Sequence, residues 1–297
     1  MPHIPPRGVV APNFTPFNDD LSIAQDLFIE HALALLDEGC AALAPFGTTG
    51  EALSVGVEER IAALAALIAA GADPAKLIPG TGLTSLADTA KLTRACLDMG
   101  CAGAMVLPPF YYKNVHDDGL FAWFARLIET VDHPGFALYL YHIPQVAGVG
   151  MPIPVVARLF AEFEEVVGIK DSSGNEANLE ALLAIEGLVV YPAAETALPL
   201  ALPRGAPGCI TATANLNASA IGELISAYDR SPEEATALQP AVTAFRKAAS
   251  AHSFIESLKR VKALSTGEPR WANVRPPLLP FDRDKGAALG RELGLLP

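Results

Sequence analysis

Short apolar runs rich in Val, Ile and Leu recur along the 297-residue chain, each followed by a turn and an Ala/Leu-rich amphipathic stretch. The runs fall near residues 8–13, 41–46, 76–81, 103–107, 136–141, 166–170, 188–192 and 208–212. Apolar runs this short, bounded by turn residues, read as strands buried on both faces. Helical spacing marks the stretches near 22–38, 57–71, 84–99, 117–131, 152–163, 175–185, 196–203 and 217–229. In the first of them Asp26, Glu30 and Asp37 fall on one face, Leu27, His31, Ala34 and Leu35 on another, and Gly39 is the stop. Strands that alternate with helices imply right-handed βαβ units and a parallel sheet. Eight of them without a break favour a closed (β/α)8 TIM barrel over an open sheet.

The barrel accounts for residues 1–230, and no convincing strand follows it. Ser231-Pro232-Glu233-Glu234 has the form of a helix start, with an N-cap serine, proline at the first helical position and acids in the first turn. Residues 231–297 are therefore read as a helical region of about three helices packed on the barrel, with 273–280 as a proline-rich connection.

Composition limits the partners. With 51% hydrophobic and 18% charged residues the chain can build a large core. A net charge of −12 argues against nucleic acid or an anionic membrane as partner, so any anion site must be local. Cys40, Cys96, Cys101 and Cys209 form no CxxC pair, which suggests reduced core thiols in a cytoplasm-like compartment. The N-terminal MPHIPPRGVV lacks the apolar core of a signal peptide, and the apolar stretch 61–70 is too short to span a bilayer. A soluble cytoplasmic protein is the expectation.

Barrel active sites lie at the C-terminal ends of the strands, so the residues just after each apolar run carry the chemistry. Phe46-Gly47-Thr48-Thr49-Gly50-Glu51 follows the second run, and such a glycine turn either binds a small carboxylate or simply caps the next helix. Tyrosines follow the fourth run (Tyr111, Tyr112) and end the fifth (Tyr139, Tyr141). Taken singly, each is an amphipathic plug with its hydroxyl toward water. Lys170 closes the sixth run, Val166-Val167-Gly168-Ile169. It is either a side chain that snorkels out of the mouth or a neutral amine nucleophilic toward a ketone, since burial disfavours its charge. His142 is one of six scattered histidines with no HxH or HExxH spacing, and reads as a hydrogen-bonding wall residue rather than a metal ligand. No metal or other cofactor is called for, and no GxSxG, GxGxxG or P-loop motif occurs.

In combination, GTTGEA (47–52), PPFYY (108–112), YHIP (141–144) and GIKDSSGN (168–175) resemble the dihydrodipicolinate synthase/N-acetylneuraminate lyase family. Thr15-Pro16-Phe17 and Ile210-Thr211-Ala212-Thr213-Ala214-Asn215 extend the resemblance over nearly the whole chain. It implies a (β/α)8 barrel with a C-terminal helical region, commonly assembled as a dimer-of-dimers homotetramer. It also implies an imine between a barrel lysine and a 2-oxo acid, usually pyruvate. That role would fall to Lys170, with Tyr141 shuttling protons beside the imine and Thr48 relaying them. Tyr111 would complete the relay across a dimer interface. Thr49 and its turn, including Gly47, would hold the pyruvate carboxylate, and Ile210 would offer a carbonyl near the lysine.

One position departs from the synthases of that family, which carry an arginine for the carboxylate of aspartate semialdehyde two residues past the YxxP proline. Here that position is Val146, which cannot clamp a carboxylate, and Arg158 lies too far along the next helix. The expectation is therefore a class I pyruvate aldolase or lyase acting on a 4-hydroxy-2-oxoglutarate or 2-keto-3-deoxy sugar acid, with His142 and Ser172 bonding substrate hydroxyls. Dihydrodipicolinate synthase, a 2-keto-3-deoxy sugar acid dehydratase and a non-catalytic 2-oxo acid sensor are the alternatives.

Overall fold

In the computed structural model, which describes residues 3–297, the apolar runs form the parallel staves of a (β/α)8 barrel. Strands β1 (Gly8–Ala11) and β2 (Ala42–Leu43) pair in parallel, and β1 also pairs with β7 (Gly208–Ile210). The second sheet runs β3 (Ala104–Val106), β4 (Leu138–His142), β5 (Val166–Asp171), β6 (Val189–Pro192). Residues 77–81 fill the gap between β2 and β3 at the place of the third expected strand. Ile78 N–H donates to Leu43 O at 2.8 Å on one side, and Met105 N–H to Pro79 O at 2.9 Å on the other. This stave is a pair of bridges rather than a regular strand. Pro79 has no N–H to give, and a Cβ on Gly80 would fall 2.1 Å from Phe46 O.

Alternation sorts the strand residues. Leu138 and Leu140 face the helices, whereas Tyr139 and Tyr141 face the interior with Val10, Ile78, Met105, Tyr191 and Ile210. Strand β5 carries one irregularity with consequences for the site. Leu138 pairs with Val166 but Tyr139 pairs with Gly168, so Val167 is an extra residue in a bulge. Because side chains alternate, one added residue re-phases all that follow. Gly168 and Lys170 then face inward, and Lys170 comes level with Tyr141.

The helices α1 (Gln25–Asp37), α2 (Val57–Ala69), α3 (Leu86–Asp98), α4 (Asp117–Val131), α5 (Pro144–Ala147), α6 (Ile153–Glu162), α7 (Glu176–Leu183), α8 (Leu198–Ala201) and α9 (Ala214–Arg230) surround the barrel. The stretch expected to be one helix near 196–203 is instead a short α8 between two 3-10 turns, with Pro199 and Pro203 among its residues. Three helices follow: α10 (Pro232–Ala249), α11 (Phe254–Thr266) and α12 (Arg283–Glu292). Ser231 caps α10 by accepting the Glu234 N–H, and 273–280 links α11 to α12 as expected. Leu258, Val261, Trp271, Leu289 and Leu293 join Phe14 and Leu27 in one apolar cluster that seats these helices on the barrel. At the opposite end of the barrel His3 bonds the Tyr139 hydroxyl, and Tyr191 donates to Pro6 O at 2.5 Å. No helix among the described residues is long and apolar enough to cross a membrane.

Candidate active site

A cavity of about 810 Å³ opens at the C-terminal ends of the strands. Lys170, Tyr141, Thr48, Thr49, Ser172 and Ile210 all line it. Lys170 is buried, with its Nζ 3.4 Å from Tyr141 Oη and 4.4 Å from the centre of the Tyr141 ring. Tyr141 Oη in turn lies 3.2 Å from Thr48 Oγ1. Amine, phenol and alcohol thus form one hydrogen-bonded line from strand β5 through β4 to the turn after β2. Such a line can move a proton between a group held on the amine and the Thr48 turn.

Thr48-Thr49-Gly50 is a single 3-10 turn preceded by Gly47. Gly50 N–H and Ala52 N–H both donate to Gly47 O, leaving the Thr48 and Thr49 N–H groups without a partner among the described residues. The turn is held from outside the barrel. Glu51, in the left-handed region at φ 54°, pairs with Lys259 of α11, and its Oε2 accepts the Arg275 N–H at 2.9 Å. Thr15 Oγ1 donates to Gly50 O at 2.7 Å. The TPF segment and the C-terminal helices therefore fix the turn that faces the cavity.

His142 stands apart from the expected site, whereas Tyr111 and Val146 lie at the surface or rim of their own chain. His142 does not line the cavity. It follows Tyr141 on the same strand, so it points to the helix side, where its Nδ1 accepts the Met151 N–H at 2.7 Å. Burial pulls its pKa below the usual imidazole value, against the nearby Asp171 charge. His142 is expected beside substrate hydroxyls, but its side of the strand faces away from the cavity that Lys170 lines. Tyr111 is 74% exposed, stacks edge-on with Tyr112 and does not line the cavity of its own chain. Val146 is 62% exposed at the cavity rim and brings no charge. Arg158 gives no substitute, being bonded to Asp118 and Glu162 on the outer surface.

The sequence reading missed Arg246. This residue of α10 lines the same cavity as Lys170. Its Nη1 donates to Thr211 Oγ1 at 3.2 Å and to Ala193 O at 3.4 Å, and lies 3.6 Å from Glu195 Oε2. Its guanidinium stacks 4.7 Å above Phe254. Nothing local in the sequence points to it. In Phe245-Arg246-Lys247 it reads as a basic residue complementing the helix C-terminus, and only tertiary packing brings it over the mouth.

Comparisons with known proteins bear on the family and the fold. The model of the Dihydrodipicolinate synthetase family matches residues 5–294. An uncharacterized DapA-like lyase of Chloroflexus aurantiacus is 32% identical over 96% of this chain and 95% of its own. A 4-hydroxy-tetrahydrodipicolinate synthase of Corynebacterium urealyticum is 35% identical over 73% of this chain and 70% of its own. The crystal structure of dihydrodipicolinate synthase from Agrobacterium tumefaciens superposes with a TM-score of 0.88 at 31% identity, covering 97% of this chain and 99% of that one. A barrel with a buried lysine at the end of its β5 strand, matched by the family model from residue 5 to residue 294, belongs to the dihydrodipicolinate synthetase family.

Proposed function

We propose that the protein is a lyase of the class I aldolase type, acting through an imine between Lys170 and a 2-oxo acid. The observation that carries this reading is the line Lys170 Nζ, Tyr141 Oη, Thr48 Oγ1, with spacings of 3.4 and 3.2 Å inside a substrate-sized cavity. A binding module needs a lysine at most; the aligned phenol and alcohol are what proton transfer requires.

In the cleavage direction the neutral amine of Lys170 attacks C2 of a 4-hydroxy-2-oxo acid, and water leaves as the imine forms. Tyr141 takes the C4 hydroxyl proton while passing its own toward Thr48. The C3–C4 bond breaks, its electron pair moves into the protonated imine to give an enamine, and an aldehyde departs. Protonation at C3 and hydrolysis return pyruvate and the free amine. No metal or other cofactor takes part. Thr49 and the N–H groups of its turn, which begins at Gly47, hold the C1 carboxylate. Ser172 at the opposite wall and the Ile210 carbonyl complete the contacts.

The substrate in this reading is of the 4-hydroxy-2-oxoglutarate or 2-keto-3-deoxy sugar acid type, supported by the uncharged Val146 at the rim. A second reading, condensation of pyruvate with aspartate semialdehyde, is favoured by the Corynebacterium relative's name. Borohydride reduction in the presence of pyruvate tests the common core of both. The expected result is a covalent adduct on Lys170, found by peptide mass spectrometry and absent from Lys170→Ala; a folded wild type without adduct overturns the proposal. Pyruvate release from a panel of 2-oxo acids, set beside the condensation assay, then separates the two readings.

A further inference from the structure

We propose that Arg246 binds a second carboxylate, carried by the aldehyde half of the substrate, so that the enzyme selects dicarboxylic 2-oxo acids over neutral polyol ones. The inference rests on the imine reading of Lys170 and narrows it. Four observations carry it. Arg246 and Lys170 line one cavity. Every polar contact of the Arg246 guanidinium runs through Nη1, to Thr211, Ala193 and Glu195. The Nε–Nη2 edge, the fork that matches a carboxylate, has no partner among the described residues. The side chain is nonetheless fixed, by stacking on Phe254 and by these contacts.

Glu195 does not consume the arginine. It has no exposed side-chain surface, and its oxygens accept the Thr211 and Thr213 hydroxyls. At 3.6 Å it steers Arg246 rather than forming a bidentate pair with it. The cavity wall also carries Asp171, Glu176 and Glu256. Its overall field therefore does not gather anions, and a carboxylate is held only where donors are aimed at it. The turn after β2, and Arg246 over the loops after β6 and β7, provide two such places, with β1 between them in the barrel order. One suits the C1 carboxylate and the other the carboxylate at the far end.

The experiment compares 4-hydroxy-2-oxoglutarate with 2-keto-3-deoxygluconate, which has no second carboxylate, in wild type and in Arg246→Gln and Arg246→Lys. A charge-assisted bidentate contact sets the scale. Arg246→Gln is expected to lower the ratio of kcat/KM values, dicarboxylate over polyol, by roughly tenfold to a hundredfold, mostly through KM. Arg246→Lys keeps the charge, loses the fork and should fall between. An unchanged ratio overturns the inference, because an arginine that merely fastens α10 to the barrel would affect both substrates alike. Should Arg246→Gln not fold, wild type alone decides: it must prefer 4-hydroxy-2-oxoglutarate to the analogue whose far carboxylate is an amide, and equal rates overturn the inference. Failure of borohydride trapping on wild type would instead overturn the imine reading itself, so the two failures are distinguishable.

Discussion

Lys259 and Glu51 form an ion pair in which neither side chain is exposed, and the pair joins α11 to the turn carrying Thr48 and Thr49. Lys259 Nζ also donates to Thr15 O at 2.9 Å. Burial pushes the lysine pKa down, and the Glu51 charge works against that push. The cost of desolvating two charges is offset only while both are present, so removing one strands the other. Lys259→Met should destabilise the protein by about 3–5 kcal/mol, read as a lower Tm. It should also weaken pyruvate binding, since the Glu51 carboxylate ties the Thr48–Thr49 turn to the C-terminal region. Adding Glu51→Gln should recover much of the stability. A double variant less stable than Lys259→Met would show that packing, not charge, sets the cost.

His31 makes stability depend on pH. Its ring packs between Phe14 and Trp271 and bonds Asn215 Oδ1 at 2.8 Å. Burial, helped by the Lys262 charge and opposed by the Asn215 bond, lowers its pKa from 6.5 to about 3. Between those values the unfolded chain binds the proton and the folded one does not. The stabilisation is therefore complete above pH 6.5 and is lost as pH falls toward 3, at about 1.4 kcal/mol per unit. His3 and His142 are also held down by burial and add to the slope with the same sign. His31→Phe should flatten the curve between pH 5 and 6.5 without abolishing it. Denaturant titrations across that window check this, and an unaltered slope would show His31 charged in the fold.

The residues of the site were legible where chemistry follows directly on a strand. Lys170, Tyr141 and Thr48 each lie at or just past an apolar run, and the barrel geometry gathers such positions at one end. Strand parity would also have placed His142, since a neighbour of an inward Tyr141 must face outward. The bulge at Val167 left no comparable mark, for five residues of Val, Gly, Ile and Lys read as a strand in either phase. The stave at 77–81 was visible as an apolar run, but Pro79 and Gly80 make it irregular. Arg246 was illegible because its position depends on how α10 packs over the mouth, some 35 positions beyond β7, and not on its neighbours in sequence.

Tyr141→Phe keeps the ring beside Lys170 and removes the atom that bonds both Lys170 and Thr48. Turnover should fall by roughly 10²–10⁴-fold, the range for a lost general acid–base group. Imine trapping with pyruvate should survive at a reduced rate, because the amine remains in place. Thr48→Val breaks the line one step further out and should cost less. Stopped-flow trapping alongside steady-state rates separates the steps. Turnover of Tyr141→Phe within a few-fold of wild type would remove the phenol from the proton path.

The exposed ring of Tyr111 does not line the Lys170 cavity of its own chain. If it completes the relay of a neighbouring subunit, as its place in the PPFYY motif implies, the active unit is at least a dimer. Tyr111→Phe should then lower turnover while leaving the folded state intact, because the hydroxyl of an exposed ring adds little to stability. Complementation tests the geometry directly. In a mixed oligomer of Lys170→Ala and Tyr111→Phe chains, the chain that keeps Lys170 receives Tyr111 from its neighbour. Co-expressed variants should therefore be more active than either homo-oligomer. Absence of recovery, with mixed oligomers shown by native mass spectrometry, would place the action of Tyr111 within its own chain or outside the reaction.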